Sequence, residues 1–82
     1  MIIYEKNRIY DLSKAEEIAV YSQNITIQYP QGIATIEISI EKEETRTLAK
    51  FIAENLHKPI AMDIATLLSL ALGKKDKKTN KK

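Results

Sequence analysis

Eighty-two residues, 44% hydrophobic and 29% charged, describe a single folded domain and exclude both a disordered chain and a second core. No cysteine is present to staple the chain or to join a metal-ligand set, and the one histidine, His57, stands alone. The formal charge of +2 conceals a division: residues 74–82 hold six lysines against one aspartate (+5), whereas residues 1–73 hold seven cations against ten carboxylates (−3).

The opening run, MIIYEKNRIYD, has neither the basic region nor the apolar core of a secretion signal. No segment reaches the roughly 20 apolar residues that span a bilayer, so a cytoplasmic location is expected. Residues 2–5 and 8–12 form two short β-rich runs around Lys6-Asn7. Asn7 tolerates the left-handed backbone of a two-residue hairpin, which predicts a turn there. Ser13 and Glu16 have the spacing of a capping box, so a turn is expected through 13–16, with a strand from about Glu17.

The stretch NITIQYPQGIATIEISIE carries the strongest pattern. Ile25, Ile27 and Tyr29 alternate with polar residues, as do Ala34, Ile36, Ile38 and Ile40, which places one apolar face on each of two strands. Pro30 pre-sets a turn and Gly32 suits the left-handed position after it, predicting a hairpin. One apolar and one polar face imply an antiparallel sheet covered on one side.

In residues 43–57, Leu48, Ile52 and Leu56 recur every four positions, with Ala49, Phe51 and Ala53 beside them. Arg46, Lys50, Glu54 and His57 fall opposite, so an amphipathic helix is predicted. Glu41, Glu43 and Glu44 flank its positive end, and Pro59 stops it. Residues 60–72 contain only Asp63, Thr66 and Ser69 as polar residues, drawing one thin stripe along a second helix that Gly73 would end. Asp63 can alternatively cap a shorter helix from Ile64, leaving 59–62 as an extended connector.

The fold class read from this pattern is α+β. Residues 1–73 form the domain: an antiparallel meander of four to five short strands over residues 2–41, packed against helices at 43–57 and 60–72. Residues 74–82 are expected to be a disordered basic tail.

A helix apolar nearly all round needs protein on more than one side. It can complete the monomer core, pack against a second copy, or lie on a membrane surface with the lysines as a polybasic flank. The thin, uncharged-to-acidic stripe argues against the membrane. The tail reads either as a solvated end or as a non-specific, salt-sensitive tether to nucleic acid through Lys74, Lys75, Lys77, Lys78, Lys81 and Lys82. Only Arg8 and Arg46 are arginines, and no basic helix or zinc motif is available for groove readout.

No catalytic constellation assembles from these residues, and neither glycine belongs to a phosphate loop. No cofactor, metal or enzymatic role is therefore expected. The Ile-, Lys- and Glu-rich, arginine-poor composition looks like that of products of AT-rich bacterial genomes, their phages and plasmids, whose small accessory proteins are often binders.

The functional expectation is a non-enzymatic protein-interaction module, homodimeric and with a further protein partner. Its candidate contact residues are Ile60, Ile64, Leu67, Leu68 and Leu72 on the apolar segment, and Glu37, Glu41, Glu43 and Glu44 on an acidic rim. An edge strand offers a third surface, because its outer backbone groups can add another strand.

Overall fold

The computed structural model describes residues 1–73. The expected basic tail, with its six lysines, lies outside the described residues. The fold is α+β: six short strands in two three-stranded sheets, with two helices.

Strands β1 (Ile2–Glu5) and β2 (Arg8–Asp11) form the expected hairpin, with Ile3 opposite Tyr10 and Glu5 opposite Arg8. The left-handed residue of its turn is Lys6 (φ 56°) rather than Asn7. A positive φ at a central position is what a two-residue hairpin turn needs to match the right-handed twist of its strands. A tight 3-10 turn, Leu12–Lys14, follows. The Asp11 carboxylate caps it, accepting from Ser13 N at 3.1 Å and from Ser13 Oγ at 2.6 Å. The Ser13–Glu16 box is thus displaced by a carboxylate two residues upstream, and the chain is extended again at Ala15.

Strands β3 (Glu17–Val20), β4 (Asn24–Tyr29) and β5 (Gly32–Glu37) make an antiparallel sheet in chain order. Val20, Ile25 and Ile36 share one row, and Ile18, Ile27 and Ala34 the next, all on the inner face. Ala19, Thr26 and Thr35 line up on the outer face, as the alternation requires. Gly32 is the first residue of β5, at φ 158°, so the turn itself is Pro30-Gln31. β5 ends at Glu37 rather than near 41, because β4 begins only at Asn24. Ile38 N and Ile40 N still donate to Gln23 O and Ser22 O in the preceding turn.

Helix α1 (Glu44–Asn55) is shorter at both ends than the pattern predicts. The N-cap position, Glu43, makes no side-chain cap. Just before it Glu41 N donates to Glu44 Oε1 at 2.8 Å, which ties the preceding turn to the first residue of the helix. At its end the α-amino group of Met1 donates to Leu56 O at 2.7 Å and Lys58 O at 3.0 Å. A cation placed there meets carbonyls that no helical turn can satisfy.

Of the two readings open at residues 60–63, the structure has the shorter helix, which begins at Ile64 behind an Asp63 cap rather than at residue 60. Ala61–Asp63, expected only as part of an extended connector and its cap, form β6, parallel to β1. Two causes act together. Asp63 is extended (φ −82°, ψ 171°) and its Oδ1 accepts from Thr66 N at 2.8 Å, a cap that fixes the helix start. The open edge of β1 then pairs the residues before it, beginning with Ile2 N to Ile60 O at 2.8 Å. Helix α2 (Ile64–Leu72) ends at Gly73, whose φ of 71° favours glycine and whose N–H donates to Ser69 O.

The single meander is therefore corrected to two sheets, β2-β1-β6 and β3-β4-β5, separated where the 3-10 turn interrupts the chain. Ile3, Tyr10 and Met62 from the first sheet and Ile25, Ile27 and Ile36 from the second meet Leu12, Leu48, Ile52 and Leu67 in one core. Tyr29 Oη donates to Asp11 O at 3.1 Å, tying the end of β4 to the end of β2.

Candidate protein-binding groove

β3 is the terminal strand of its sheet. Tyr21 N donates to Asn24 O at 2.8 Å, and this bond sets the phase of the β3–β4 ladder. Backbone groups of alternate residues point to opposite sides, so those of Glu17, Ala19 and Tyr21 face β4. Those of Ile18 and Val20 face away from it, toward the sheet edge.

Beside this edge runs an apolar groove of about 170 Å³ between β3 and α1. Its strand wall is Ala15, Ile18 and Val20, and its helix wall is Ala49, Ile52, Ala53 and Leu56. Ala49 and Ala53, one helical turn apart, are exposed because neither side chain is large enough to close the space. A cavity of on the order of 150 Å³ accommodates a benzene-sized apolar group, so the groove suits aliphatic side chains. Glu16 and Glu17 stand exposed at one end of it. Strand-edge donors and acceptors next to an apolar trough are what a partner strand requires: main-chain hydrogen bonds along the edge, and alternate side chains inserted beside it.

The residues expected to carry contacts are distributed differently. Leu67 has no exposed surface and sits in the core, while Ile60, Ile64, Leu68 and Leu72 are half-buried against it. The most exposed large residue of α2 is Leu70, at 58%. α2 packs on α1, β1 and β6, so the monomer itself supplies most of the protein that this apolar segment needs.

Of the acidic residues, Glu44 is engaged at the start of α1, with Glu41 and Glu43 exposed next to it. Glu37 instead joins Glu5, Lys6, Arg8, Tyr10 and Thr35 around a separate polar depression between the first hairpin and β5. Its neighbours there are of mixed charge.

The groove residues Ile18, Val20, Ala49 and Ala53 were all legible as sheet or helix residues, but not as a site. The available signal was the alanine pair at i, i+4 on the helix face otherwise built from Leu and Ile. That β3 is an edge was not legible, because a single meander places residues 17–20 between neighbouring strands.

Among the described residues, the carboxyls of Asp11 and Asp63 and the phenol of Tyr29 titrate away from their ordinary values. Hydrogen bonds from Ser13 hold the Asp11 carboxyl low, and those from Thr66 do the same for Asp63. Burial, with the Asp11 charge adding to it, pushes the Tyr29 phenol up. All three lie at caps or at the junction of the sheets rather than along the groove. Among the described residues no three His, Asp or Glu side chains are placed to hold a metal ion, and no helix is long and apolar enough to cross a membrane.

No protein-family model, no curated protein and no solved structure matches the chain.

Proposed function

We propose that the protein is a non-enzymatic interaction module that takes a partner strand along β3 and seats its side chains in the groove against α1. The observation that carries this reading is the conjunction at Ile18 and Val20. Their backbone groups face the sheet edge, and their side chains form one wall of the apolar trough. Bare edges are hazards that folded proteins usually cover or blunt, and β3 carries neither proline nor lysine. The other apolar feature, the face of α2, is largely consumed by the core. The fold class alone does not specify a function, so the reading rests on this site.

A suitable probe is a capped seven-residue peptide alternating Val with Thr and Gln, titrated into dilute ¹⁵N-labelled protein. Shifts are expected at the amides of Ile18 and Val20 and along Ala49–Leu56, with β5 and β2 unaffected. Shifts confined to the other terminal strands, β5, β2 and β6, or none at all, would remove the basis for the proposal.

A further inference from the structure

We infer that the strand received at β3 is the β3 of a second copy, joined antiparallel about a two-fold axis through Ala19. This rests on the groove reading above and names its occupant.

The argument begins with the backbone. Only the even-numbered residues of β3 direct their hydrogen-bonding groups to the edge, so a second β3 must match even to even. An antiparallel twin centred on Ala19 does so: Ile18 of each copy exchanges both bonds with Val20 of the other. The strand is self-complementary in that register, as an isologous interface requires.

The side chains select the same register. On the outer face, Ala19 meets Ala19 of the second copy, the closest approach in the pairing, where a methyl group is small enough to fit. Glu17 falls opposite Tyr21, which is 54% exposed in the single chain. A two-fold centred one residue earlier, on Ile18, sets Glu17 against Ala19 and leaves Tyr21 beyond the pairing. Centring on Glu17 instead sets the two Glu17 carboxylates directly against one another, which is repulsive. On the inner face, Ile18 and Val20 of the second copy enter the trough beside Ala49 and Ala53. The product is one continuous six-stranded antiparallel sheet with both copies of α1 on the same side.

Because the chain has no cysteine, Ala19→Cys introduces a single thiol. Non-hydrogen-bonded antiparallel partners lie about 4.5 Å apart at Cα, within the span a disulfide bridges. With oxidised glutathione as the oxidant, Ala19→Cys protein should convert to a covalent dimer. Ile33→Cys, at a more exposed position on β5, should stay monomeric over the same time. In light scattering, the unmodified protein should double in mass as concentration rises. Ala19→Lys, which places two ammonium groups on the axis while leaving the outer-face position solvent-facing, should retain the monomer mass and an unchanged circular dichroism spectrum.

A constant monomer mass together with cross-linking no faster than that of Ile33→Cys overturns the inference. The groove reading is judged separately, by titrating the Val/Thr/Gln peptide into Ala19→Lys protein. Shifts at Ile18 and Val20 there preserve the groove even if the twin is refuted. Their absence rejects the groove as well.

Discussion

The two sheets are built on opposite principles. β3-β4-β5 is a meander in which each strand pairs with its neighbour in sequence, joined by turns of two or three residues. β2-β1-β6 pairs one local hairpin with a strand that returns after more than fifty residues, and its third member runs parallel. The first sheet therefore forms through short loop closures, whereas the second is complete only once α1 and β6 have docked. Each sheet keeps two terminal strands, β2 and β6 in the long-range sheet and β3 and β5 in the local one, and of these β3 is the one beside the apolar groove on α1.

Despite this contrast the sheets share a core, and the sharpest way to break the comparison is to empty that core from either side. Ile3 and Ile27 both have no exposed surface. Ile3→Ala and Ile27→Ala should each cost about 2–5 kcal/mol, with unfolding monitored by far-ultraviolet circular dichroism and by tyrosine fluorescence following one common transition. Two separated transitions in either variant would mean that the sheets are independent units, contrary to the single buried cluster.

A smaller effect is expected at the polar link between them. Tyr29→Phe removes the hydrogen bond to Asp11 O and should cost about 0.5–1.5 kcal/mol by urea denaturation. The phenol titrates above its ordinary value because it is buried, so the folded state favours its protonated form. Its contribution is therefore complete below pH ~10 and lost as pH rises through the elevated folded value. The wild-type protein should lose stability in alkali more steeply than Tyr29→Phe. Parallel alkaline profiles would show that the tie between the sheets contributes nothing.

The smallest expected change is at Asp63, the residue that divides β6 from α2. Asp63→Ala removes the cap on Thr66 N and should lower the thermal midpoint slightly, by less than either core substitution. The carboxyl is held low by Thr66, so its contribution is present above the unfolded value and declines as pH falls below ~4. The acid limb of the stability profile should flatten in the variant. An unchanged acid limb would assign the boundary to the pairing of β6 with β1 alone.

The local sheet and α1 were readable from the chain because their information is periodic and short-ranged. Ile25, Ile27, Ala34 and Ile36 alternate about a proline turn, and Leu48 and Ile52 recur at a helical turn. At residues 60–63 the sequence left two readings open, a helix from Ile60 or an Asp63 cap behind an extended connector. Ala61 and Met62 are equally acceptable at the start of an apolar helix, and what makes them part of a strand is the unpaired side of β1. The turn conformation at Lys6 and the cap at Asp11 were missed for a related reason. Several neighbouring polar residues could have served, and the geometry of the folded turn chose among them. The groove was invisible because Ala49 and Ala53 look like core residues until α1 and β3 are set side by side.

Taken alone, the order of residues determined the α+β class, the central hairpin, the amphipathic character of α1 and the separation of an acidic body from a basic end. Each depends on side-chain alternation or net charge, which neighbours in sequence specify. Tertiary structure decided the split into two sheets, the parallel return of β6, the absorption of α2 into the core and the open edge at Ile18 and Val20. Those features depend on which backbone groups find partners far along the chain, and hydrogen-bond satisfaction between distant segments leaves no local periodic trace.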